Sequence, residues 1–159
     1  MAELKTVLAE AGFSNVVTYL QSGDVIFSSG ITNTIELANR IHEVIIEMLG
    51  LDVDVIVFSK SEWASIIRKA PVWWGSNKEW KHNLLVLLKP FDIDEAIRAI
   101  GELKPNIEAA EPGNGVIYQS MSLKFFSRTT TGKLSSGPIY KRITVRNYNT
   151  ATKLLTILD

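Results

Sequence analysis

The segment that closes the chain concentrates side chains that could bind an anion. Arg146 is a planar, permanently charged donor, and it lies just ahead of a helical pattern. Asn149 or Thr150 can cap that last helix, whose first N–H groups carry partial positive charge. The candidate ligand-binding residues here are Arg146, Asn147, Asn149, Thr150 and Lys153. Such a group could hold a phosphate or a carboxylate. In the alternative reading, Arg146 pairs with an acidic residue of the first half, and the asparagines satisfy loop backbone.

This segment belongs to an asymmetric distribution of charge. The chain carries 17 basic and 17 acidic residues, which argues against a protein whose whole surface binds nucleic acid. From Pro112 to Leu158, however, there is no acidic residue. The basic residues of that stretch are Lys124, Arg128, Lys133, Lys141, Arg142, Arg146 and Lys153. The sequence therefore predicts a local basic face that attracts anions.

Two polar loops are weaker candidates for ligand binding. The stretch 127–136 is rich in hydroxyls and contains Arg128 and Lys133, its predicted anion contacts. It is not a Walker A loop, because the first glycine is absent and a leucine follows the lysine. Gln21 and Ser22 could present hydrogen-bonding groups at a hairpin, although such residues are also ordinary turn residues. No nucleophile elbow surrounds Ser22.

All four tryptophans lie close together, and two interpretations of them remain open. They are Trp63, Trp73, Trp74 and Trp80. If exposed, Trp73, Trp74 and Trp80 would form a partner-binding hot spot or a base-stacking platform. If buried, the aromatic rings would pack between the two halves of the chain.

Other chemistry is sparse. There is no cysteine, which fits a reducing cytoplasm, and two histidines without a carboxylate cluster predict neither a metal site nor a cofactor. No nucleophile–base pair is recognisable, so an enzyme is neither indicated nor excluded. The longest aliphatic run, Leu84 to Leu88, is too short to cross a membrane.

The elements that position these residues follow a repeated order. Residues 1–59 read as helix, hairpin, helix and a strand at 52–58. Residues 60–80 form a linking helix and a Trp-rich loop, and residues 81–159 read as β-α-β-β-α-β followed by a last helix. Helix ends are predicted at Asn33 or Thr34, at Gly50 and at Asp92. The predicted fold class is α+β, with two ferredoxin-like halves built on mainly antiparallel sheets and a C-terminal helix.

The first half lacks the opening strand of this pattern. That strand is central in a ferredoxin-like sheet, so its absence leaves neighbouring backbone groups unpaired. We expect either that the natural chain starts upstream of Met1, or that another segment or a second copy fills the gap. The second possibility predicts a homo-oligomer.

Several short motifs resemble a known family. They are Met1 to Leu4, Gly12 to Val16, Tyr19 to Gly23 with Val25 to Phe27, and Thr144 to Thr150 with Lys153 and Leu154. They resemble bacterial proteins of the domain of unknown function 1697 family. The resemblance implies two ferredoxin-like subdomains. It also implies an opening strand and a glycine-rich Arg-Gly-Ile-Asn-type loop, which this chain lacks. The family has no established activity, so the resemblance implies fold rather than chemistry.

Two functional hypotheses follow. The first is a small cytoplasmic module that binds an anionic ligand, a nucleotide or RNA phosphates, on its basic C-terminal face. The alternative is a protein–protein interaction or self-association module that uses the Trp-rich loop or an exposed strand edge.

Overall fold

A computed structural model describes residues 1–88, 92–132 and 137–158, which separate into two units. The first unit comprises Met1–Ser61 together with Leu158, and the second comprises Glu62–Ile157. The first contains a two-stranded sheet and the second a four-stranded sheet. No helix in the described ranges is both long enough and apolar enough to cross a membrane.

The first unit opens with helix α1 (Ala2–Glu10) and the predicted hairpin. Strands β1 (Ser14–Tyr19) and β2 (Asp24–Ser28) pair antiparallel, with Tyr19 opposite Asp24. In the loop between them, Leu20 and Gly23 both have positive φ, of 56° and 83°. Glycine adopts this conformation without steric cost, which is why the glycine predicted the turn.

Helix α2 (Thr34–Leu49) begins and ends at the predicted residues. The side chain of Asn33 accepts hydrogen bonds from the backbone N–H groups of Ile35 and Glu36, at 3.0 and 3.1 Å. Gly50 ends the helix in the left-handed conformation. Between these caps, Leu37, Ile41 and Ile45 face the core of the unit, where they pack with residues of α1 and β1.

The segment 52–58, predicted as a strand, is not a strand in the structure. Val55 and Val57 still pack against the core of the first unit, as the alternating pattern requires. Among the described residues no strand pairs with the segment, although the carbonyl oxygen of Val53 lies 2.8 Å from Nδ1 of His42. In the second unit the equivalent strand pairs only with the strand that opens the unit. No strand precedes α1 in the described chain. The segment therefore packs as a strand would, but it has no neighbouring strand with which to pair.

The second unit has the complete ferredoxin-like arrangement. After helix α3 (Lys60–Arg68) its elements are β3 (Trp80–Leu87), α4 (Ile93–Ile100), β4 (Glu108–Pro112), β5 (Val116–Ser122), β6 (Ile143–Asn147) and α5 (Tyr148–Leu158). The strand order is β4-β5-β3-β6, and every pair is antiparallel. Short 3₁₀ helices span Phe126–Arg128 and Pro138–Arg142. These elements confirm the α+β class and the C-terminal helix.

Both faces of the four-stranded sheet are covered. Successive side chains of a strand point to opposite faces. On one face, Leu85, Leu87 and Ile117 pack against Ala96 and Ile100 of α4. On the other face lies Tyr118, whose hydroxyl donates a 2.6 Å hydrogen bond to the carbonyl oxygen of Ile66 in α3. Functional side chains are therefore expected at the ends of the strands rather than on an open face.

Candidate functional site

Arg146, the leading candidate from the sequence, lies in β6 opposite Leu84. Its Nη1 donates hydrogen bonds to Oγ1 of Thr144 at 2.8 Å and to the carbonyl oxygen of Val145 at 2.9 Å. The side chain is half-buried. The guanidinium thus bonds to its own strand, which is a structural role.

The start of the last helix differs from the prediction. Helix α5 begins at Tyr148, and Oδ1 of Asn147 accepts a 2.8 Å hydrogen bond from the backbone N–H of Thr150. Asn147 is therefore the cap, and the assignment of the cap to Asn149 or Thr150 was wrong. The reason is that β6 runs directly into the helix without a connecting loop. Thr150 is buried, whereas Asn149 and Lys153 are exposed.

Tyr148 packs against the Trp-rich loop within the second unit. Its ring makes edge-on contacts with the rings of Trp74, at 4.8 Å, and His82, at 6.4 Å. Gly75 has a φ of +89°, and a β-carbon there would overlap the tyrosine ring. The closing motif and the Trp-rich loop therefore fit together through a position that only glycine can fill.

The tryptophans that the sequence offered as exposed partner-binding residues are partly or fully buried. Trp74 is buried and donates a 2.8 Å hydrogen bond from its indole to the carbonyl oxygen of Asn83. Trp63 is buried in the same unit and bonds to the carbonyl oxygen of Ala151 at 3.0 Å. Trp73 and Trp80 are half-buried. Trp74 is therefore a core residue and not a surface available to a partner.

A serine–histidine pair that the sequence did not indicate lies between β3 and β5. His82 and Ser120 are opposite each other in the strand register, and Nδ1 of His82 lies 2.5 Å from the serine Oγ. The histidine Nε2 lies 2.8 Å from the carbonyl oxygen of Asn77. Because a carbonyl only accepts, Nε2 carries the proton and Nδ1 accepts from the serine hydroxyl. Ser120 is only 2% exposed, so the pair joins two strands and is closed to substrate.

The hairpin candidates are exposed residues of the turn. Ser22 donates a 2.7 Å hydrogen bond from its hydroxyl to the carboxylate of Asp24, and Gln21 lies beside it on the surface. A short side-chain bond of this kind, spanning two residues, is ordinary turn chemistry.

A different cluster, which we name the basic–aromatic patch, gathers cations around two phenylalanine rings. Its residues are Lys81, Lys124, Phe125, Phe126 and Arg128. The Lys124 ammonium and the Arg128 guanidinium carbon lie 5.3 and 5.5 Å from the centre of the Phe125 ring. The Lys81 ammonium lies 5.6 Å from the centre of the Phe126 ring. All three cationic side chains are exposed, and Phe126 is 39% exposed.

The patch forms where β3 begins and β5 ends. Lys81 is paired with Met121 in the strand register. Directly after β5, the backbone N–H of Leu123 donates a hydrogen bond to the carbonyl oxygen of Glu79. It then makes the 3₁₀ turn that carries Phe126 and Arg128. The sheet register thus brings Lys81 to a loop that is distant in sequence, which explains why the sequence did not indicate Lys81.

A buried carboxylate holds the loop that follows this turn. Oε1 of Glu108 accepts hydrogen bonds from the N–H groups of Lys104 and Thr130, at 2.8 and 2.9 Å. Its Oε2 accepts from the N–H and the hydroxyl of Thr131, at 2.9 and 2.7 Å. Burial raises the pKa of Glu108, but these hydrogen bonds outweigh it and lower the pKa from 4.5 to about 2. The carboxylate is therefore ionised at neutral pH and orders the loop.

The patch can attract anions because, among the described residues, its cations are not held in ion pairs. Within residues 1–88, 92–132 and 137–158, none of its three cations has an ion-pair partner. The backbone of the patch is also tied down, since Nζ of Lys104 donates a 2.5 Å hydrogen bond to the carbonyl oxygen of Arg128. Lys133, the other predicted contact of this loop, lies outside the described residues.

Comparison with known proteins identifies the class of protein. The family described as "Protein of unknown function (DUF1697)" matches residues 1–118, and the chain belongs to that family. The chain is also similar to a solved structure titled as the conserved bacterial protein SP0830 from Streptococcus pneumoniae. The two are 25% identical, with a TM-score of 0.88, and the match covers 100% of this chain and 88% of the other. A comparison with curated proteins gives no match.

Proposed function

We propose that this protein is a binding module for a phosphate-bearing ligand, a nucleotide or RNA, and that the basic–aromatic patch is its binding site. The observation that carries the proposal is the convergence of Lys81, Lys124 and Arg128 on two adjacent aromatic rings. We place the activity in the cytoplasm, where RNA and nucleotides are abundant.

The geometry of the cations favours phosphate binding. Each charged group lies over an aromatic ring while its residue stays exposed to solvent, so the ring orients the cation without enclosing it. A lysine offers a point charge and an arginine offers a planar pair of donors, both of which suit phosphate oxygens. The stretch from Pro112 to Leu158, which supplies two of the three cations, contains no acid that would repel the ligand.

The closing helix is a weaker site for the same ligand. The side chain of Asn147 already accepts the hydrogen bond from the Thr150 N–H, and Arg146 donates hydrogen bonds to Thr144 and Val145. Of these candidates, Lys153 is exposed, but the helix N–H of Thr150 is already bonded to the cap. We therefore centre the site on Arg128 rather than on Arg146.

Salt dependence of binding tests the proposal. A labelled short oligo(U) is titrated with the protein, and its fluorescence anisotropy is followed at several salt concentrations. Three phosphate contacts predict a slope of log K against log salt of about −2, or about 15-fold weaker binding between about 50 and 200 mM salt. Changing Lys124→Gln and Arg128→Gln together leaves one contact and should reduce the slope to about −0.7.

The matched control changes Lys5→Gln and Lys69→Gln, which removes the same charge from exposed residues outside the patch and outside the closing helix. This variant should keep the slope of the unmodified protein. If it loses the slope instead, the ligand is not at the patch, and binding that does not respond to salt contradicts the proposal altogether.

A second candidate function is self-association through a strand edge in the first unit. Among the described residues, strand β2 pairs only with β1, which leaves its other edge without a neighbouring strand. An added strand from a second copy would satisfy such an edge. Sedimentation should then show dimers whose fraction rises with protein concentration, and a monomer at every concentration would exclude this function. The burial of Trp74 gives the Trp-rich loop no comparable support.

A further inference from the structure

The two phenylalanines of the basic–aromatic patch differ in what their rings contact. Phe125 is half-buried and has two cations near its ring, Lys124 and Arg128. Phe126 is 39% exposed and has one, Lys81. An exposed aromatic ring beside a flexible lysine side chain is a surface on which another flat ring can stack in place of the lysine.

We infer that Phe126 stacks on an unpaired base, so that the patch selects single-stranded nucleic acid over other polyanions. This inference rests on the proposed function, since it assigns the base-binding part of the same site. Every nucleobase presents a π-face, and aromatic side chains on basic surfaces bind single strands in this way. Lys81, which has a long flexible stem, then moves from the ring to a flanking phosphate.

The turn that carries Phe126 is rigid before any ligand arrives. The carbonyl oxygen of Phe126 accepts two hydrogen bonds from Thr129, one from its backbone N–H at 3.1 Å and one from its hydroxyl at 2.7 Å. The N–H of Gly132 bonds to the same hydroxyl at 3.0 Å. A β-carbon at Gly132 would lie only 2.8 Å from the Phe126 carbonyl oxygen, so the turn is closely packed.

Glu108 extends this rigidity beyond the turn. It accepts the N–H groups of Thr130 and Thr131, the residues that follow the turn directly. Glu108 is also paired with Met121, which is paired with Lys81 across the sheet. The carboxylate and the patch lysine thus lie on one row of the sheet and on one face. A site ordered in advance loses less conformational entropy on binding.

Stacking on Phe126 distinguishes a single strand from other ligands of equal charge. In a duplex the bases are already stacked and paired, so the ring cannot reach a π-face without disrupting them. An abasic strand and inorganic polyphosphate carry phosphates without bases. Each of these ligands should therefore engage the cations only.

The test compares four probes at one salt concentration: short oligo(U), an abasic strand of the same length, an RNA duplex and inorganic polyphosphate. We expect the abasic strand to bind about tenfold more weakly than oligo(U), the loss typical of one stacked base. Phe126→Leu should lower the affinity for oligo(U) to that of the abasic strand and leave abasic binding unchanged.

Two further variants separate stacking from folding. Phe126→Tyr keeps a flat ring and should keep the preference for oligo(U). Leu123→Ala, at a residue that is 55% exposed near the same turn, removes apolar surface without removing a ring and should also keep it. Loss of the preference in Leu123→Ala would overturn the assignment to Phe126.

The possible failures of the two proposals are distinct. Equal binding of oligo(U) and the abasic strand, both sensitive to salt, overturns the stacking inference while the anion-binding function stands. Binding of neither probe overturns both. A preference for oligo(U) that persists in Phe126→Leu shows that a base is read elsewhere and overturns the role of this ring.

Discussion

The buried carboxylate of Glu108 has four hydrogen-bond donors directed at it, and the change Glu108→Gln removes part of this arrangement. Glutamine keeps one acceptor oxygen and replaces the other by an NH₂ group, which is itself a donor. On whichever side the NH₂ lies, it faces groups that already donate. On the Oε2 side, the Thr131 hydroxyl can reverse its bond, but the Thr131 N–H cannot. At least one backbone N–H therefore stays buried without an acceptor.

The magnitude follows from the pKa of the carboxyl. A pKa of about 2 in the folded protein against 4.5 ordinarily corresponds to about 3 kcal/mol of unfolding free energy. Because the folded pKa of Glu108 is the lower one, this stabilisation is fully present above about pH 5. It is lost as the pH falls from about 5 through the folded pKa of about 2, below which the carboxyl is protonated in both states.

Urea unfolding at a series of pH values, followed by tryptophan fluorescence, measures this contribution. Trp63 and Trp74 are buried in the second unit and report on it. At neutral pH we expect Glu108→Gln to cost about 3 kcal/mol, by loss of the charge-assisted bonds. The difference between variant and unmodified protein should shrink as the pH falls from about 5 to about 2.

The matched control is Glu111→Gln, an exposed position in the same strand, which should change stability by less than about 0.5 kcal/mol. Equal stability of the two variants at neutral pH would refute the reasoning. So would a difference that stays constant down to pH 2, because it would show a packing defect and not a loss of the ionised carboxylate.

Two further predictions concern the closing motif, and both are measured by chemical unfolding. Gly75→Ala should cost at least about 2 kcal/mol more than Gly115→Ala, since both glycines have positive φ but only the first contacts the Tyr148 ring. A similar cost for both would show that the ring moves aside freely. Asn147→Ala should cost about 1 kcal/mol by removing the cap of α5, whereas Asn149→Ala should cost almost nothing. The reverse order would restore the predicted cap.

Local signals in the sequence predicted much of the fold. Asn33, Gly50 and Asp92 were expected at helix ends, and each is a cap in the structure, with Asp92 accepting the N–H of Glu95 at 2.7 Å. Such signals succeed because a cap bonds to residues two to four positions away. The segment 52–58 failed for the complementary reason. Alternating apolar residues report which side is buried, and a strand also requires a neighbouring chain that no local pattern encodes.

The candidate site was less predictable because it depends on pairing between distant residues. The sequence indicated Arg128 from its own loop, but Lys81 reaches that loop only through the pairing of β3 with β5. The two phenylalanines that lie between Lys124 and Arg128 were the signal that could have identified the patch. Glu108 gave no signal, since an acid that bonds to four donors looks like any other in a sequence.

The closing motif and the patch show that polar richness alone does not mark a binding site. Asn147 serves as a cap, Tyr148 as a packing contact and Arg146 as a strand hydrogen-bond donor, so a ligand there would compete with those interactions. The cations of the patch lie over aromatic rings, and this attraction uses no hydrogen-bond acceptor of the protein. A phosphate at the patch gains hydrogen bonds without costing the protein any of its own. Because a ligand displaces fewer protein interactions at the patch than at the helix start, we expect an anion to bind at the patch.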